Sequence, residues 1–240
     1  MKTINKLFAL FAILTLVFVL GCDETTENAD VYDAQDCLNR LSTADESNPA
    51  ALQVCLNKLG SANSPQALAL ECSIRLMQGG LTTSKIINSF KLQDDPGYSG
   101  ESGLILTLAY KNGSPDNLTA ATNAQQVCKS SGQQGLIGIA GMMVTGTVVA
   151  EFAGLSDNPS PGAISTALSN CAQPSGGGGC SSAQKQAIAQ AAVSIADDYC
   201  GTENDSAVCV DFNTAVQQNT TNGVVNSEAL ADAILGSIGS

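Results

Sequence analysis

The chain has no histidine and no tryptophan, and only 4% of its 240 residues are aromatic. Without an imidazole, every Ser–His and Cys–His scheme for activating a nucleophile is closed. No two cysteines stand in CxxC spacing, which together with the missing histidine argues against a zinc site. Basic side chains are scarce as well. Ten Lys and Arg face 22 Asp and Glu, a net charge of −12, and none follows Lys185. A polyanionic surface repels phosphate backbones, so nucleic acid is not expected as a partner. It also offers no basic patch to anionic lipid headgroups. The glycine tract Gly176–Gly179 lacks the Lys-Ser/Thr that would make it a phosphate loop. Runs of alternating apolar and polar residues are short, so strands are not expected.

At the N-terminus, Lys2 and Lys6 precede an apolar run from Leu7 to Leu20 that only Thr15 interrupts. Fourteen helical residues reach about 21 Å, short of a hydrocarbon core of roughly 30 Å, which favours an export signal over a retained span. Val19-Leu20-Gly21-Cys22 follows. This segment resembles the lipobox of bacterial lipoproteins, and the resemblance covers residues 1–22 only. It implies a signal peptide over 1–21, cleavage after Gly21, and a diacylglyceryl group and a further acyl chain such as palmitate on Cys22. Two or three acyl chains, at about 0.8 kcal/mol per buried CH₂, hold a protein on a membrane where one does not. Asp23 resembles an inner-membrane retention signal of enteric bacteria, a rule that differs between lineages, so inner and outer membrane both stay open. Without its signal the chain has eight basic and 22 acidic side chains, a net charge of −14. Residues 22–30 hold almost nothing apolar and are expected to form an acidic tether, with the folded domain over 31–240.

Helix punctuation dominates that domain. Asn48-Pro49, Ser64-Pro65, Ser114-Pro115 and Ser160-Pro161 each pair an N-cap residue with proline at the first helical position. Gly60, Gly79-Gly80 and Asn112-Gly113 sit where helices should stop. Apolar residues recur at helical spacing, as in Val31, Ala34, Leu38, Leu41 and in Leu52, Cys55, Leu56, Leu59. Helices are expected near 161–171 and 182–199, with a loop over 173–182, and a last amphipathic helix with Ser227 as N-cap. The fold class is therefore all-α, either an irregular helical bundle or a short α-solenoid. Cys37-Leu38-Asn39-Arg40-Leu41 echoes as Cys55-Leu56-Asn57-Lys58-Leu59 eighteen residues on. In repeat length the N-terminal helices resemble tetratricopeptide-like repeats, although the Trp, Leu-Gly and Tyr positions of that pattern are largely missing.

Uncharged from Ser130 to Ala150, the chain is densely apolar from Leu136 and contains Gly138, Gly141 and Gly146. A buried core helix that neighbours approach closely is favoured over a membrane span. A pocket lined by this glycine-rich helix, residues 135–155, is the alternative functional reading.

Nine cysteines become eight once Cys22 carries lipid, and an even set in an exported chain implies four disulfides among Cys37, Cys55, Cys72, Cys128, Cys171, Cys180, Cys200 and Cys209. Cys37 and Cys55 are equidistant from position 46, in the turn-rich stretch 44–48, as an antiparallel helix pair requires. Cys171 with Cys180 and Cys200 with Cys209 would close short loops, leaving Cys72 for Cys128. The competing arrangement joins Cys55 to Cys72 and Cys37 to Cys128.

Catalytic groups are few. Ser84-Lys85, and Ser182 with Lys185, are formal Ser–Lys pairs outside any motif, and exposed lysines beside serines are ordinary. Asp197, Asp198, Glu203, Asn204, Asp205 and Asp211 carry calcium-type oxygens without the spacing of a calcium loop. No catalytic residue, cofactor or metal is expected. The expected role is a non-catalytic, membrane-anchored lipoprotein of a Gram-negative envelope, in the periplasm or at the cell surface. It would contact an envelope protein partner, as an interaction or assembly factor. Binding a small molecule or lipid is the alternative.

Overall fold

A computed structural model describes residues 26–42, 45–82, 85–86, 105, 107–110, 116–155, 160–201 and 207–239. The signal at 1–21, Cys22 and residues 23–25 lie outside the described residues, as do Asn112-Gly113 and Ser114-Pro115. The fold is all-α. In chain order the helices are α1 (Thr26–Asn39), α2 (Pro49–Lys58), α3 (Pro65–Gln78), α4 (Asn117–Ser131), α5 (Gln134–Ala153) and α6 (Pro161–Cys171). A 3₁₀ turn (Ser175–Gly177) leads to α7 (Ser182–Ser194), which runs on as a π-helical turn (Ile195–Cys200); α8 (Ala207–Gln218) and α9 (Ser227–Gly239) are the last helices among the described residues. The one antiparallel hairpin among the described residues joins α8 to α9, with β1 (Thr220–Thr221) paired to β2 (Val224–Val225).

Local chemistry starts these helices. Asn48 accepts from the backbone of Ala50 and Ala51, Ser64 from Ala67, and Ser160 from Ala163, each just ahead of a proline. Ser181 and Gln184 close a capping box at α7. Three starts differ from the sequence reading. Helix α1 begins at Thr26, so residues 26–30 belong to it and not to the tether; the packed Val31 and Ala34 carry the helix one polar turn further out. At α4 the cap is Asp116, whose carboxylate accepts from Thr119. At α9 Asn226 accepts from the Ala229 backbone, so Ser227 is the first helical residue and not the N-cap.

Among the described residues the core has three parts. Ala34, Leu52, Leu59, Leu70 and Ile74 pack where α1, α2 and α3 meet. Leu76 of α3, Ala121 and Ala124 of α4, and Met143 and Val144 of α5 form the middle. The largest part joins α5 to α6, α7, α8 and α9 around Leu168, Ile188, Phe212, Leu230 and Ile234. At 20 residues α5 is long and apolar enough to cross a membrane, yet it is the central helix, with 61% of its most apolar window buried by protein. Its glycines explain how: a Cβ on Gly138 would strike the Tyr199 ring, one on Gly141 the Ile195 side chain, and one on Gly146 the Ile105 carbonyl. Side chains thus seat directly on the α5 backbone at Gly138 and Gly141, and backbone meets backbone at Gly146.

Four disulfides staple the layers: Cys37–Cys55, Cys72–Cys128, Cys171–Cys180 and Cys200–Cys209. The first ties α1 to α2, the second α3 to α4. The other two close nine-residue separations at helix ends. Of the two connectivities left open by the spacing, this is the one in which Cys37 is joined to Cys55.

Candidate functional site

Helix α2 runs antiparallel to α1, and α3 antiparallel to α2. The first half of α2, the last half of α3 and the start of α4 therefore meet at one end of the molecule. They leave an open groove of about 460 Å³. Pro49, Ala50 and Gln53 come from α2, Arg75 and Gln78 from α3, Ala120 and Asn123 from α4. Tyr110 is also part of the lining although only 4% exposed, and it lies so close to Gly79 that a Cβ there would overlap its ring. The backbone N–H of Tyr110 donates to Thr147 Oγ1 at 2.7 Å, which ties this residue to α5.

The groove holds amides and one guanidinium. Gln78 Nε2 donates to Gln53 Oε1 at 3.3 Å, and Arg75 is held by Glu71 through Nη2 at 2.6 Å and Nε at 2.8 Å. A side-chain amide carries both a donor and an acceptor, as a backbone amide does. Among the described residues of the lining, Arg75 and Tyr110 are the titratable ones. Sequence reasoning missed the groove, because its residues come from four separate segments and no single one carries a motif.

A second polar cluster lies between α7 and α9. Lys185 is 1% exposed and donates to Asp232 Oδ1 at 2.6 Å and to the Gln173 carbonyl at 2.8 Å. This corrects the expectation of an exposed lysine. The signal was present, since Lys185 shares the buried stripe of Ile188, Ala189 and Ala192. Ser182 and Ser175 both donate to Glu228, at 2.8 and 3.2 Å, and these hydrogen bonds hold its carboxyl below the usual range. Ser182 and Lys185 thus point to different carboxylates, and the cluster clamps the Cys171–Cys180 loop and α7 onto α9. Of the other formal pair, Ser84 lies outside the described residues and Lys85 Nζ donates to the Ala109 carbonyl at 3.0 Å.

Among the acidic residues considered for calcium, Asp198 pairs with Lys129 at 3.0 Å, Asp197 and Asp211 are exposed, and 203–205 lie outside the described residues. No group of metal-ligating side chains occurs among the described residues. Where the end of α5 meets the start of α4, partial burial raises the Glu151 carboxyl, the Leu118 backbone N–H that donates to it opposes this, and the charge of Asp116 adds to the rise. The space beside the α5 glycines is taken up by Tyr199, Ile195 and Ile105, and the groove lies elsewhere.

No family model, curated protein or solved structure matches the chain.

Proposed function

We propose that the chain is a bacterial envelope lipoprotein, anchored through acyl chains on Cys22, whose helical domain serves as a non-catalytic contact surface for another envelope protein. One observation carries this reading. Eight of nine cysteines close on one another inside the folded domain, and the ninth is the one in Val19-Leu20-Gly21-Cys22. Four internal disulfides suit an oxidising compartment. An acidic chain with few cations gains membrane attachment from acyl chains rather than from headgroup attraction. The polar groove at the α2–α3–α4 end supplies the contact surface, its amides matching a polypeptide backbone.

Expression of the full chain in a Gram-negative host tests the anchor. The N-terminal peptide is expected to begin at Cys22 with acyl mass, and Cys22→Ser is expected to leave the membrane fraction or to stay uncleaved. An acylated Cys22→Ser protein would overturn the reading. For the contact surface, a photo-cross-linking residue at Gln53 is expected to capture a discrete protein in intact envelopes, and one at exposed Thr166 of α6 to capture none. Equal capture at both would remove the groove from the proposal.

A further inference from the structure

Three residues separate Cys22 from the start of α1 at Thr26. Fully extended, the four backbone steps from Cys22 to Thr26 span at most about 14 Å. Wherever the anchor sits, the first turn of α1 is therefore close to the headgroups. The fold decides what else is there. Asp30 reaches Gly60, to the point that a Cβ on Gly60 would lie 3.6 Å from its carboxylate. The first turn of α1 and the 60–64 turn between α2 and α3 thus form one end of the N-terminal layer. Past Lys58 that turn is uncharged, with Ser61, Asn63 and Gln66 exposed. The outer flank of α1 is different, carrying Asp33 and a partly exposed Asp36 against Arg40. The first turn brings Glu27 and Asp30 near the headgroups in either arrangement; lying on the flank would add Asp33 and Asp36 to them, whereas the 60–64 turn adds no charge.

Resting on the Cys22 anchor proposed above, we infer that the domain meets the bilayer end-on, through the first turn of α1 and the 60–64 turn, and presents its groove away from the membrane. The Cys37–Cys55 bridge fixes which end is which: Gln53 lies opposite Asn39, at the far end of α1. Fourteen helical residues put the groove about 21 Å further from the membrane than Thr26. The partner is then reached across the aqueous compartment and not along the membrane plane.

Photo-cross-linking from the full lipidated protein in envelope membranes tests this, with the reactive residue at Ser61 on the end, Asp33 on the flank or Asn123 in the groove. Lipid adducts are expected at Ser61 and none above the dark control at Asp33 or Asn123. Adducts of similar yield at all three, or strongest at Asp33, would overturn the end-on arrangement. Insertion of ten Gly and Ser residues between Glu24 and Thr25 is expected to abolish the Ser61 adducts, and their persistence would overturn the short tether as the cause. The mass of the Cys22 peptide is read in the same samples. Missing acyl mass would fail the anchor itself, whereas an acylated Cys22 with the wrong adduct pattern would fail the orientation alone.

Discussion

In α1 to α3 the charged side chains stay at the surface and pair along a single helix, Arg40 with Asp36 and Arg75 with Glu71. In α7 and α9 a lysine is sealed inside and pairs across two helices, Lys185 with Asp232. Surface pairs four residues apart on a helix contribute about 0.3–0.5 kcal/mol each and do nothing to hold one helix on another. The cores differ in the same direction. Seven buried residues form the described N-terminal cluster and 22 the C-terminal one, so the smaller layer needs its covalent staple more. The two regions therefore differ in what holds them: a disulfide between two helices over a small core in one, a large core with an internal ion pair and two short-loop disulfides in the other.

Breaking the ion pair is expected to have the largest effect. Asp232→Asn leaves an ammonium that is 1% exposed without its counter-charge and is expected to cost about 3–5 kcal/mol in urea unfolding. Lys185→Met is expected to cost less. It keeps the buried stem, and the Asp232 carboxylate, 39% exposed, can rehydrate. Equal costs for the two variants would mean that burial of the lysine is not what makes the pair matter.

Removal of Cys37–Cys55 sharpens the contrast from the other side. An 18-residue separation is worth about 3 kcal/mol in the entropic account of disulfides, and a nine-residue one about 2.6. The numbers are close, but the consequences are not. Cys37→Ala with Cys55→Ala is expected to speed amide hydrogen exchange over 26–59 and leave 182–239 unchanged, because seven buried residues are a thin reserve. Cys171→Ala with Cys180→Ala is expected to loosen only the 172–179 loop. Uniform acceleration across the chain in the first variant would show that the layers unfold as one unit.

What could be read in advance divides along the same line. Helix starts were legible wherever a cap and a proline adjoin, as at Ser160-Pro161, because capping is local chemistry. The pairing of Cys37 with Cys55 was legible as one of two options, because hairpin symmetry is set by the turn. Thr26 was not, since nothing local favours a polar first turn; it depends on Val31 and Ala34 finding the α2 and α3 side chains. The Lys185 clamp joins residues 47 positions apart, and the Gln53–Gln78 pair of the groove residues 25 apart, which periodicity does not report.

Within α5 the same contrast between close approach and open space can be tested on two glycines. Gly146→Ala drives a methyl group to 2.2 Å from the Ile105 carbonyl and is expected to cost about 1–3 kcal/mol. Gly135→Ala meets nothing within 4 Å and is expected to stabilise by up to about 1 kcal/mol through helix propensity. Thermal unfolding distinguishes them by sign, and destabilisation by both would mean that α5 does not tolerate added volume anywhere along its length.

The smallest expected effect is one of pH, and it sets the C-terminal clamp against Glu151, where the end of α5 meets the start of α4. Glu228 is held below its ordinary 4.5 by hydrogen bonds from Ser182 and Ser175. Its ionised form is thus favoured by the fold, and its contribution is fully present above 4.5 and is lost as pH falls through the lowered value. Glu151 is raised above 4.5 chiefly by burial, so its ionised form is disfavoured, and that cost is relieved as pH falls through the raised value. Glu228→Gln is accordingly expected to be slightly less stable than the native chain at neutral pH, and Glu151→Gln slightly more. Both differences should shrink on acidification, Glu151's first, because its folded value is the higher. Urea midpoints taken from neutral pH downward read this directly. Shifts of the same sign at neutral pH would show that the two carboxylates do not sit in opposite environments.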